Sequence, residues 1–122
     1  MTKPSVTARA YAERLETPRP IRKFWMSHEL QEAASAYAWD NRSTLSELIR
    51  EQLRDIERQP INMVQMTEYD SPSSSNSVSV AVEDELYLAA KDAAYPTRKS
   101  MTSLVRRRLL RILEREGRWP KP

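Results

Sequence analysis

The chain has 122 residues (14.2 kDa), 20 Lys/Arg against 17 Asp/Glu, a net charge of +3 and a pI near 9.4. It contains no cysteine, one histidine (His28) and one glycine (Gly117), which excludes disulfide scaffolds, thiol catalysis, multi-histidine metal sites and glycine-rich phosphate loops. No apolar run approaches a membrane span and no signal-peptide core opens the chain, so the expectation is a cytoplasmic, mainly helical protein with no cofactor and no small-molecule ligand.

Residues 1–20 read as a basic arm, either with a short helix around Ser5–Glu16 or disordered, followed by Pro18 and Pro20. A strand is expected next, with Phe24 and Met26 inward and Ile21, Lys23 and Trp25 outward. Leu30, Ala33, Ala34 and Tyr37 recur at helical spacing and predict a helix capped by Ser27. A second helix begins at Thr44, where Thr44-Leu45-Ser46-Glu47 fits a capping box. Its core positions are 45, 48, 49, 53 and 56. Residues 59–76 read as a linker, ending in the Ser/Pro-rich stretch 71–76.

The pattern then starts again. Ser77–Val82 alternates valine with small residues, so Val78, Val80 and Val82 point in and Ser77, Ser79 and Ala81 point out. Leu86, Ala89, Ala90 and Ala93 mark a third helix whose start carries Asp84 and Glu85. A fourth helix follows Ser100, with core positions 101, 104, 105, 109 and 112. Gly117 stands where a helix C-cap glycine belongs, and Pro120 follows it.

Residues 22–58 lie over 78–114 without gaps, a shift of 56, with ten of 37 positions identical. The identities include Leu30/Leu86, Ala34/Ala90, Arg42/Arg98, Leu48/Leu104, Arg50/Arg106, Leu53/Leu109 and Ile56/Ile112. The two repeats run 21–58 and 77–122. Neither can bury a core alone, and a single strand leaves both its edges unpaired. Antiparallel pairing of the two strands over four helices solves both problems in one domain.

The motifs Thr44-Leu45-Ser46-Glu47-Leu48-Ile49-Arg50 and Ser100-Met101-Thr102-Ser103-Leu104-Val105-Arg106 resemble the second helix of the ribbon-helix-helix DNA-binding family. The resemblance implies a pseudo-two-fold tandem of that fold, mainly α with a two-stranded antiparallel β-ribbon. It implies double-stranded DNA as partner, read in the major groove by the outward residues Lys23, Trp25, Ser77 and Ser79. Trp25 packs on a thymine methyl or sugar edge, or else covers the N-terminal arm. Phosphates would meet the N-termini of the second helices through Thr44, Ser46, Ser100 and Thr102, with Arg42, Arg98 and Lys99 adding charge. The family's glycine between the helices is replaced by Asn41, which tolerates positive φ, while Tyr95-Pro96-Thr97 demands a different turn in the second repeat.

Arg106-Arg107-Arg108 and Arg111 read first as an exposed, solvated basic face, with a phosphate or protein contact as the alternative. His28 is expected at the surface. The Asp/Glu pairs are helix-start acids and form no catalytic dyad, so an enzyme is not expected.

Single-chain tandems of this kind resemble the T-DNA processing proteins of the Agrobacterium virulence-C operon, and more distantly the TraY-type conjugation accessory proteins. That implies an accessory role for a relaxase at transfer borders, a monomer acting as a pseudo-dimer, and further residues upstream of Met1. Lys23/Trp25 against Ser79/Ala81 predicts an asymmetric target. A transcriptional repressor of the same fold is the main alternative. An antitoxin-type protein-binding module is the other.

Overall fold

The computed structural model describes residues 19–58 and 76–119. The expectations for the arm before Arg19, including the Ser5–Glu16 helix, for linker residues 59–75 and for Pro120 lie outside them. The elements run β1 (Ile21–Trp25), α1 (His28–Asp40), α2 (Leu45–Arg58), β2 (Ser77–Ala81), α3 (Asp84–Ala94) and α4 (Met101–Arg115). A 3-10 turn, Tyr95–Thr97, joins α3 to α4. The order is β-α-α, twice.

β1 and β2 pair antiparallel, with Ile21 opposite Ala81, Lys23 opposite Ser79 and Trp25 opposite Ser77. Two further backbone bonds close the ribbon ends: Met26 N–H donates to Asn76 O and Val82 N–H to Pro20 O, each over 3.1 Å. The alternation read from the sequence holds. Phe24, Met26, Val78, Val80 and Val82 are buried against the helices, while Ile21, Lys23, Trp25 and Ser79 are exposed. Arg22 takes the inward place that Val78 fills on the other strand. It is half-buried, with its guanidinium 4.1 Å over the Tyr87 ring and Nη2 donating to Asp84 over 2.7 Å.

Ala34 and Ala38 on α1, with Ala90 and Ala94 on α3, present small side chains that let helices approach closely, and Leu30 is fully buried beside them. Leu48, Ile49, Leu53 and Ile56 on α2 and Met101, Leu104, Val105 and Leu109 on α4 fill the centre. Leu45 and Ile112 pack at the edge of that cluster, and Leu110 and Leu113 extend it. The packing is interlocked. α2 lies against β2 and α3, while α4 lies against β1 and α1. Each second helix thus supports the strand of the other half of the chain.

Local signals explain the helix ends. Ser27 Oγ accepts from Leu30 N–H over 3.2 Å, as a capping serine does. Thr44 Oγ1 accepts from Glu47 N–H and Ser100 Oγ from Ser103 N–H, each over 3.1 Å. The Glu47 carboxylate does not return to close the capping box. It turns along α2 to Arg50 Nε (3.1 Å) and Arg54 Nη1 (2.9 Å), because two cations outcompete one amide. Gly117 has φ +70°, and Arg118 N–H reaches back to Leu113 O over 2.7 Å, ending α4 in a Schellman-type turn.

Two expectations need correction. The left-handed residue between α1 and α2 is Arg42 (φ 57°); Asn41 stays at φ −97° and spends its side chain donating to Tyr37 O. After the 3-10 turn the second connection ends the same way, with Arg98 at φ 57°. The arginine run on α4 is not one solvated face either, since Arg106 and Arg108 are buried at 8% and 7% exposure. No described helix is long and apolar enough to cross a membrane.

Candidate nucleic-acid interface

The outward face of the ribbon is a small platform of polar and apolar side chains. Lys23 and Ser79 stand opposite one another at its centre, Trp25 faces Ser77 towards one end, and Ile21 faces Ala81 towards the other. Trp25 is 39% exposed and Ile21 61%. Lys23 brings a cationic donor, and the serines bring hydroxyls that donate or accept. Nearby acids are already engaged: Asp84 with Arg22, and Glu83 with Arg19 over 3.1 Å. The field at the ribbon is therefore left to Lys23 and to the arginines beyond it.

Two arginines from the helices hold the ribbon from beneath. Arg106 Nη1 donates to Trp25 O over 2.8 Å, and Arg50 Nη1 donates to Ala81 O over 3.2 Å. Each satisfies a carbonyl at the last residue of a strand and fixes where the neighbouring outward side chain stands. The sequence reading gave Arg106 to a solvated basic face, or to a phosphate or protein contact, and gave Arg50 no role. Their signal was the Arg50/Arg106 identity in the repeat, which a charge-only view assigns to solvent.

The N-termini of α2 and α4 carry the second set of expected residues. The hydroxyls of Thr44 and Ser100 satisfy one amide each, while the N–H groups of Leu45, Ser46, Met101 and Thr102 have no acceptor within their helices. Arg42, Arg98 and Lys99 are exposed beside these ends, whereas Ser46 and Thr102 are half-buried. Open amides, positive helix ends and exposed cations together form two places that suit an oxyanion. His28 is exposed on the first turn of α1 and joins neither set.

On the inner side of the helices, Arg108 Nε donates to Gln52 Oε1 over 3.0 Å and Nη2 to Asp55 Oδ2 over 3.3 Å. Burial pushes the Arg108 guanidinium below its ordinary pKa, with Asp55 opposing. At the start of α2, the hydrogen bond from Arg54, helped by Arg50, holds the Glu47 carboxyl below the usual carboxylate range. Glu47 raises Arg54 in turn. Arg108 is buried in its contact, while Arg50 and Arg54 are paired with Glu47. Exposed Trp39 (79%) and Tyr95 (83%), at the helix ends just before Arg42 and Arg98, were not singled out in the sequence, although their spacing of 56 was a usable signal.

Compared with family models, with curated proteins and with solved structures, the chain matches none.

Proposed function

We propose that the protein binds double-stranded DNA by laying the β1–β2 ribbon in the major groove, as a tandem ribbon-helix-helix domain with a pseudo-two-fold axis between its halves. The observation that carries this is the outward ribbon face, with Lys23 opposite Ser79 at its centre and the reverse face sealed by core residues. A two-stranded ribbon fits the major groove, where Lys23 can donate to guanine N7 or O6 and the serines can pair with either kind of edge. Arg42, Thr44 and Ser46 on one side, and Arg98, Lys99, Ser100 and Thr102 on the other, take the flanking phosphates.

The axis is supported by bonds that recur at a shift of 56. The shift carries the strand register onto itself, with Ile21–Ala81 exchanging for Trp25–Ser77. It also relates Arg50 to Ala81 O with Arg106 to Trp25 O, and Met26 to Asn76 with Val82 to Pro20. Lys23 and Ser79 exchange with each other, so the centre of the reading face is chemically unequal. An asymmetric target site follows.

The role that fits the chain's length, tandem layout and basic arm is that of an accessory factor at plasmid transfer borders. It marks the DNA for a relaxase and leaves cleavage to that enzyme. Fluorescence anisotropy against a duplex carrying a T-DNA right border with its enhancer, and against a scrambled duplex at the same salt, tests both levels. A preference of ~10³ or more for the border is expected. Lys23→Ala should erase about 1–3 kcal/mol of that preference. Contacts to roughly 6 phosphates give a log–log salt slope near −5. Equal, salt-sensitive binding to both duplexes overturns the transfer role and favours a repressor at an operator of its own. A slope near zero overturns ribbon-in-groove binding.

A further inference from the structure

A groove of about 840 Å³ opens between α3, the 3-10 turn and the first turn of α4. Tyr87, Tyr95, Pro96 and Met101 give it an apolar floor and wall, and Lys91, Arg98 and Lys99 give it three cations. No acid lines it. None of the three cations has an ion-pair partner among the described residues. Tyr95 stands 83% exposed beside them.

The other half of the chain lacks this chemistry at the matching places. Fifty-six residues earlier, Lys91 is replaced by Ser35, Lys99 by Ser43 and Tyr87 by Gln31. Pro96 is replaced by Asp40, an acid tied to Arg118 over 2.6 Å. Of the groove's cations only Arg98 has a counterpart, Arg42, while Tyr95, Ala94, Ser100 and Met101 correspond to Trp39, Ala38, Thr44 and Leu45. One half therefore offers a basic groove with an apolar floor, and the other a single arginine, unpaired among the described residues, next to a neutralised acid.

We propose that this groove holds the sugar–phosphate backbone of duplex DNA beyond the stretch spanned by the ribbon, on the α3–α4 side only. Lys91, Arg98 and Lys99 take phosphate oxygens, and the Tyr95 ring lies against deoxyribose with its hydroxyl free to donate to a phosphate. Alternating anionic phosphates and less polar sugars are what a groove with a cationic rim and an apolar floor complements. The groove is continuous with the α4 N-terminus, so the same strand runs from one to the other. This rests on DNA lying in the ribbon's groove, as proposed above. It adds a handedness of grip, in which the protein clasps one flank of its site more extensively than the other.

Hydroxyl-radical footprinting on a duplex selected by the protein from a random pool tests it. Because the chain has no cysteine, Asp92→Cys on α3 can carry an iron–EDTA cleaver that reports which flank lies on that side. The expected pattern is central protection plus an extension on the cleaver's flank alone. The double variant Lys91→Ala, Tyr95→Ala changes only exposed residues outside the phosphate clamp at the α4 N-terminus. It should remove that extension, keep the central protection and flatten the salt slope by about 1. Trp39→Ala should leave the extension in place. Central protection with equal flanks, or an extension that survives the double variant, overturns the one-sided grip while DNA binding stands. Absence of central protection overturns both.

Discussion

Arg106 reaches across 81 residues of chain to donate its Nη1 to the carbonyl oxygen of Trp25, 2.8 Å away. The residue that aims Trp25 outward is thus on the last helix and is 8% exposed. A charged donor on a strand-end carbonyl contributes about 1.5–3 kcal/mol. Arg106→Ala should lower stability by about 2 kcal/mol in urea unfolding and blur base preference beside Trp25. Arg50→Ala, whose bond to Ala81 O is 3.2 Å and which shares Glu47, should cost less. Equal losses would contradict the inequality of the two supports.

The Arg108–Gln52 contact makes a different prediction. Gln52 is buried and donates its Nε2 to Leu48 O over 3.3 Å, while its Oε1 depends on Arg108. Arg108→Leu alone strands that oxygen and should cost about 1–3 kcal/mol. Gln52→Leu with Arg108→Leu removes both polar partners and should recover most of the loss, because a buried charge gains little over well-packed apolar side chains. A double-variant cycle by chemical denaturation reads the coupling. Additive losses would sink the account.

Arg42 and Arg98 hold φ 57°, a region that costs a side chain about 1–2 kcal/mol and costs glycine nothing. Arg98→Gly should therefore raise the unfolding midpoint while weakening DNA binding. The same holds for Arg42→Gly. Opposite signs in the two assays are the signature of a strained residue retained for its charge. A fall in both would mean that the guanidinium supports the fold.

Glu47 is held below the ordinary carboxylate range by Arg54 and Arg50. A depressed folded pKa contributes stability that is fully present above the unfolded pKa. It is lost as the pH falls through the ordinary carboxylate range to the folded value. The wild-type urea midpoint should drop more between neutral pH and pH ~3 than that of Glu47→Gln. Parallel curves would show that the pair contributes nothing. The effect is modest because both partners are partly exposed.

Much of the frame was legible from periodicity. Val78, Val80 and Val82 announce a half-buried strand, and a shift of 56 finds its partner. Ser27, Thr44, Ser100 and Gly117 mark helix ends through short-range hydrogen bonding, which depends on neighbours alone. The buried arginines were not legible, because a charge run looks solvated until the carbonyl or amide that receives it is known. Those acceptors, Trp25 O and Gln52 Oε1, come from the other half of the chain. Arg42 was missed in favour of Asn41 for a related reason. Asn41 favours the left-handed region intrinsically, but its side chain found a better acceptor in Tyr37 O.

The β1–β2 pairing lies within one chain, and that changes how the proposed DNA-reading surface responds to dilution. A ribbon shared by two separate chains falls apart below a dissociation constant, so its DNA occupancy depends on a prior equilibrium. Here the second strand is always present at the effective concentration set by the tether. Occupancy should rise with the first power of protein concentration, without a threshold. A few molecules per cell would then suffice to fill a single site of matching affinity.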